Sequence, residues 1–200
     1  MSIIDKLRTK RLNGDLKLLK REPLKYIRAV PDDSNMLIWY FLIKGPDFSE
    51  YTGGYYLGKI IHDEQYPLKP PNFYMLTPSG RFSINKKICL TNSGYHSDQW
   101  SAMWNIKTIL LGFLSIMLDN NVGGISHINE SICIKKAYAN ESLKYNRKYY
   151  SNILDKFENF INVNKKLNFS KINEYFKINY LSTDKEYNNL IKEFKKLSNM

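Results

Sequence analysis

Four strand-like runs lie at residues 25–30, 36–44, 55–62 and 72–76, and no gap between them exceeds ten residues. A gap that short cannot house the crossover that parallel neighbours need, so each run pairs with the next as an antiparallel meander. The gaps carry turn chemistry: PDDSN, GPDFSEYTGG and the rigid YPLKPP at 66–71. One face of such a sheet needs cover, and helices flank it in the sequence. Residues 3–21 place Ile3, Ile4, Leu7, Leu12, Leu16 and Leu19 at mostly helical spacing, and Glu22-Pro23 ends the pattern. A strongly apolar helix is expected at 104–118, closed by DNNVGG, and the chain from about Ser126 reads as helical and polar. The expected fold class is α/β of the α+β kind: N-terminal helix, four-stranded antiparallel meander, irregular segment and C-terminal helices. A core domain is expected over 1–150, and a polar, basic, helical or partly ordered extension over 151–200.

Composition excludes several classes. The chain is 43% hydrophobic and carries 15 Tyr, 10 Phe and 3 Trp, enough to build a core. The longest apolar run, 108–118, falls short of the roughly twenty residues that span a bilayer. The N-terminus MSIIDKLRTKRL is charged where a signal peptide needs an apolar stretch. Neither membrane insertion nor secretion is therefore expected. Cys89 and Cys133 make no disulfide framework and sit in no zinc-ligand spacing, which points to a reducing compartment, the cytoplasm. Cys133 lies in the apolar SICIKKAY and reads as buried and inert, while His62 and His127 read as surface residues. The net charge of +11 belongs to the flanks: residues 1–28 carry nine basic and three acidic groups, and 131–200 carry fourteen and seven. Residues 29–130 carry seven and nine, so the middle is slightly acidic.

Residues 77–98, TPSGRFSINKKICLTNSGYHSD, follow no clean period, and an irregular stretch this long in a compact domain is usually functional. Four pieces are specific in combination: PxxPP at 67–71, TPxGRF at 77–82, Cys89-Leu90, and HxDxW at 96–100. In this order and spacing, over roughly residues 7–126, the chain resembles the ubiquitin-conjugating enzymes. The resemblance is closest to the subfamily that serves endoplasmic-reticulum protein degradation, whose motifs read TPNGRF and HPDTW. It implies the ubiquitin-conjugating fold and an activity centred on one cysteine. An activating enzyme passes the ubiquitin carboxyl to that thiol as a thioester, and a substrate amine or hydroxyl then attacks it, usually with a ligase holding both partners.

Cys89 occupies the family's cysteine position. Lys86 and Lys87 just before it favour thiolate. Ser79 stands where the subfamily has Asn, and Asn85 is a second candidate for oxyanion or loop support; the sequence does not choose between them. His96 matches the subfamily histidine, either as general base for the incoming nucleophile or as a structural residue of the loop, with Asp98 orienting it or capping the next turn. The family's partner surfaces map onto Lys10, Arg11, Leu68 and the segment Ser101, Ala102, Met103, where the family usually has a proline at position 102. For Lys10 and Arg11 the competing reading is a solvated helix face. The resemblance implies no cofactor and no metal. The partners implied are ubiquitin, its activating enzyme, a ligase and protein substrates. Anchored relatives carry a tail with a membrane helix; this chain shows no such run, so anchoring is not carried over. Two rivals differ in class. One is a catalytically weak variant serving as a ubiquitin-pathway binding module, against which Cys89 argues. The other is a nucleic-acid-binding protein, suggested by a pI near 9.4 but supported by no binding motif.

Overall fold

The computed structural model describes residues 2–88 and 100–164. The first helix, α1 (Ile3–Arg21), opens with a capping box: Ser2 Oγ accepts from the Asp5 N–H at 3.1 Å, and the Asp5 carboxylate accepts from the Ser2 N–H at 2.8 Å. Five strands follow, β1 (Ile27–Pro31), β2 (Ile38–Lys44), β3 (Tyr55–Ile61), β4 (Asn72–Met75) and β5 (Lys87–Ile88). They pair in sequence order, each antiparallel to the next. The meander is the one the gap lengths require, with one strand more than the sequence predicts. A two-residue strand carries no period to read, and β5 is held by its partners Phe73 and Tyr74 instead.

Alternation sorts the sheet's two faces. Trp39, Phe41 and Ile43 of β2 point inward with Tyr56 and Ile60 of β3 and Phe73 and Met75 of β4. Against them packs α2 (Ile106–Leu118), whose buried residues Ile106, Ile109, Leu110, Phe113, Leu114 and Met117 recur at helical spacing. Phe113 sits at the centre, its ring 5.4 Å from Phe41, 5.5 Å from Phe73 and 5.2 Å from Phe82. Leu12 of α1 closes one side.

The third helix, α3 (Ile132–Leu154), buries a polar face: Lys135, Ala139, Ser142 and Asn146 point inward. Its apolar Ile132 and Ile134 are exposed, and so is Cys133, which corrects the expectation that Cys133 is buried. The reason lies in β3. It has seven residues, but β4 pairs only with Gly58–Ile61; the Leu57 carbonyl accepts from the Leu76 and Thr77 N–H groups just beyond β4, while the Leu57 N–H and the Tyr55 backbone have no strand partner on that side. Side chains complete the ladder. The Tyr55 N–H donates to Ser142 Oγ and the Tyr55 carbonyl accepts from Asn146 Nδ2, both at 2.8 Å. The Leu57 N–H donates to Thr77 Oγ1 at 2.8 Å, and that hydroxyl donates on to Asn146 Oδ1. Buried backbone groups demand partners, and that demand overrides the apolar pattern of α3.

α3 bends at Tyr150 (φ −141°, ψ 34°) and runs into a 3₁₀ turn, Asp155–Phe157, where Lys156 pairs with Asp33 of the β1–β2 turn. Residues through Phe157 form one compact unit; residues 158–164, in a second, are helical. Among the described residues no helix is long and apolar enough to cross a membrane.

His62 is a core residue, which corrects its assignment to the surface. It is 3% exposed, stands edge-on to Trp39 and Tyr66, and its Nδ1 lies 3.0 Å from the Leu37 carbonyl. It follows β3 directly and packs in its neutral form against a cluster of aromatic rings.

Candidate functional site

Cys89, His96 and Asp98 lie outside the described residues. What brackets them is described. On one side Ile88, the last residue of β5, is fully buried and pairs with Phe73. On the other, Trp100 donates its indole N–H to the Pro67 carbonyl at 2.8 Å and packs against Tyr66 and Trp104. The segment holding the three sequence-predicted residues is thus tied at one end to the sheet and at the other to the proline turn.

The approach to β5 is a tight turn. Ser79 is fully buried, and its Oγ accepts from the Arg81 N–H at 3.2 Å, so its hydroxyl serves the turn itself. Gly80 follows at φ 72°, where a Cβ would lie 2.9 Å from Lys135 Cγ. Asn85 is exposed at φ 58°, its N–H donating to the Met75 carbonyl at 2.8 Å. Ser79 and Asn85 therefore occupy different settings, one inside the turn and one on the surface beside β5.

Arg81 is the main residue that sequence reasoning missed. It is 1% exposed, and its guanidinium reaches the end of α2 and the loop beyond it. Nη2 donates to the carbonyls of Ile116 at 3.1 Å and Asp119 at 3.0 Å, and also to that of Val122. Nη1 lies 3.1 Å from His127 Nδ1 and 3.4 Å from the Ile128 carbonyl. The last carbonyls of a helix carry partial negative charge and attract a cation, and the guanidinium fork can serve several at once. Burial pushes its pKa down, yet a guanidinium stays charged in a protein, and the main-chain oxygens around Nη1 and Nη2 face it. His127, expected at the surface, is half-buried against Arg81 and the Phe82 ring. Backbone bonds complete the dock: the Ile128 N–H to Arg81 O and the Glu130 N–H to Gly80 O, both at 3.0 Å.

Lys135 is a second buried cation, 1% exposed. Its Nζ donates to Glu50 Oε1 at 3.2 Å, to Asn129 Oδ1 at 3.0 Å and to Asn120 Oδ1. No composition or period marks either cation as buried; the Gly-Arg pair in a turn before an irregular loop is the only signal.

The sequence-predicted partner residues gather elsewhere, around a groove of about 440 Å³ lined by Leu7, Lys10, Arg11, Pro67, Met103 and Asn105, among others. Lys10 is solvent-exposed, and Leu68 and Met103 are 58% and 84% exposed. Ser101 and Ala102 are half-buried. Arg11 is no free surface charge: it donates to the carbonyls of Ala102, at 3.0 Å, and Trp104, and to Asp15 Oδ2 at 3.2 Å. Asp15, itself 3% exposed, also accepts from the Tyr66 hydroxyl at 2.9 Å. Its pKa is raised, burial outweighing Arg11 and Tyr66. Arg11 thus fixes the 101–105 turn to α1 while Lys10, Leu68 and Met103 remain free to touch a partner.

An α1–meander–α2–α3 architecture, with a proline turn and a short strand β5 just ahead of Cys89 in the sequence, defines a ubiquitin-conjugating fold. The family model described as "Ubiquitin-conjugating enzyme" matches residues 11–156, and the chain belongs to that family. It is 41% identical over 140 residues to mouse "Ubiquitin-conjugating enzyme E2 J2", covering 70% of this chain and 54% of that protein. It is 40% identical over 140 residues to the "Ubiquitin-conjugating enzyme E2 J2-like" protein of Dictyostelium discoideum, covering 69% and 81%. The solved structure of human ubiquitin-conjugating enzyme E2 G1 matches with a TM-score of 0.52 at 23% identity, over 59% of this chain and 99% of that one, and shows the shared fold. The chain spans about half the length of the mammalian relatives it matches.

Proposed function

We propose that this chain accepts the ubiquitin C-terminus as a thioester on Cys89 and transfers it to substrate lysine, or to serine or threonine. The observation that carries the reading is the family match over residues 11–156, with Cys89 in its TPSGRF–Cys–HxDxW context. In the first step the Cys89 thiolate attacks the thioester carbonyl on the activating enzyme, and that enzyme's thiolate leaves. In the second, the substrate nucleophile attacks the new thioester, the Cys89 thiolate leaves, and His96 takes the nucleophile's proton, with Asp98 orienting it. Asn85 supports the loop or the oxyanion from beside β5. The buried Ser79 hydroxyl acts through the turn it closes.

The groove between α1, the proline turn and the 101–105 segment is the proposed docking surface for activating enzyme and ligase. Exposed Leu68 and Met103 supply apolar contact there, and Lys10 supplies charge. The names of the relatives favour the subfamily of endoplasmic-reticulum degradation, and the cytoplasm is the proposed setting.

The test is incubation with activating enzyme, ATP and labelled ubiquitin, read on non-reducing gels. A thiol-sensitive adduct should form, vanish in Cys89→Ala and persist in Cys133→Ser. An adduct that survives Cys89→Ala overturns the assignment.

A further inference from the structure

We infer that Asp15 is a positioning residue for the partner groove, holding the proline turn and the 101–105 segment in one register against α1; this rests on the reading of that groove as the docking surface for the activating enzyme. Two sides of the groove are tied to one carboxylate. Asp15 Oδ2 accepts from the Tyr66 hydroxyl at 2.9 Å and from Arg11 Nε at 3.2 Å. Tyr66 opens the proline turn, and Pro67 beside it lines the groove. Arg11 carries the second link onward: Nη1 donates to the Ala102 carbonyl at 3.0 Å and Nη2 to that of Trp104. Met103 stands between those two residues, 84% exposed, and lines the groove as well. The N–H of Ile106, the first residue of α2, also faces the carboxylate.

A carboxylate is a poor choice for filling core space. Asp15 is 3% exposed, and burial raises its pKa, so the ionised group costs the fold stability at neutral pH. What that charge supplies is geometry. An ionised carboxylate accepts on both oxygens, and bonds to it are shorter and stronger than neutral ones. An amide in its place has one acceptor oxygen and turns an NH2 group toward a donor, so it cannot face Arg11, Tyr66 and the Ile106 N–H together. The same two turns meet again at Trp100, whose indole N–H donates to the Pro67 carbonyl at 2.8 Å and whose ring lies 5.9 Å from that of Trp104. That indole therefore reports how the turns are set.

The test compares Asp15→Asn, Tyr66→Phe and the double variant in the full chain. The first readout is loading from activating enzyme charged with ubiquitin, with this chain as the varied substrate. Asp15→Asn should raise KM about fivefold, the equivalent of one net hydrogen bond, and leave kcat in place, the mark of lost binding rather than lost chemistry. The double variant should be no worse than Asp15→Asn, because the Tyr66 hydroxyl acts through the same carboxylate. The second readout is the indole N–H resonance of Trp100 by NMR. It should move in Asp15→Asn, while that of Trp39, which donates to the Met36 carbonyl, stays in place. Asp15→Asn loses bonds but also the cost of a buried charge, so its melting temperature should stay within a few degrees of wild type. If it does not fold, Tyr66→Phe carries the test, since it removes the hydroxyl and keeps the ring. An unchanged KM in the folded variant overturns the inference, as does a fall in kcat alone, a Trp100 resonance that does not move, or losses that multiply in the double variant. If the wild-type chain forms no thioester, the functional reading fails by itself, and the Trp100 resonance still decides whether Asp15 sets the two turns.

Discussion

Acid should unfold this chain partly through one residue, His62. Its Nδ1 faces the Leu37 carbonyl at 3.0 Å and so carries the proton. Nε2 is buried with no partner among the described residues, and the imidazole ring centre lies 5.7 Å from that of Trp39 and 4.6 Å from that of Tyr66. Protonating it places a charge and an unmet donor among aromatic faces. Burial accordingly lowers the pKa from 6.5 to about 4. The unfolded chain binds this proton at the ordinary value and the folded chain resists it, so stability falls as pH drops from 6.5 toward 4. The slope approaches about 1.4 kcal/mol per pH unit, and the loss between pH 7.5 and pH 5 amounts to about 2 kcal/mol. Asp15, reached through the Tyr66 hydroxyl, has a raised pKa and so the opposite sign, but it is common to wild type and variant and cancels between them. The assay is urea unfolding from pH 7.5 to pH 5 for wild type and His62→Phe. The variant should start less stable, having lost the Leu37 bond, and should lose about 2 kcal/mol less on acidification. Parallel stability curves, or an NMR titration of the His62 ring near 6.5, would refute the reasoning.

Asn146→Leu strips the Tyr55 carbonyl of its donor and the Thr77 hydroxyl of its acceptor. Two unmet buried groups at roughly 1–3 kcal/mol each should lower the thermal midpoint by about 4–20 °C, and a shift under about 2 °C in a calorimetric scan would show that the strand end is satisfied in another way. His96→Gln should slow discharge of preloaded ubiquitin onto free serine or lysine about a hundredfold while sparing loading; equal losses in both steps would make His96 structural.

The meander and both flanking helices were legible because each rests on a local signal. The gaps are too short for crossovers, Glu22-Pro23 stops α1, and the spacing of Ile106, Ile109, Leu110 and Phe113 matches one helix face. The inner face of α3 was not legible. Its orientation follows from the unmet backbone of Tyr55, about ninety residues away, and the local pattern of Ile132, Cys133 and Ile134 points the wrong way. His62 misled for a related reason: a polar residue at a strand end reads as exposed unless the aromatic neighbours that enclose it are known. Arg81 stood in plain view inside TPSGRF, but its acceptors are main-chain carbonyls, which every residue carries and no sequence marks. For the site itself, motif order pointed to Cys89, which lies outside the described residues, while the bonds of Arg81 to the carbonyls at and beyond the end of α2 emerged only in three dimensions.

The polar stripe on α3 has a consequence for solubility. An uncovered strand end is a template onto which another chain can add a strand, and the first residues of β3, Tyr-Tyr-Leu, are rich in the aromatic and apolar side chains that favour such addition. Ser142 and Asn146 occupy those backbone groups with side chains that present no further ladder to a newcomer. A variant in which α3 peels away would therefore do more than lose stability: it would expose a sticky edge, and its failure should be seen first as concentration-dependent aggregation.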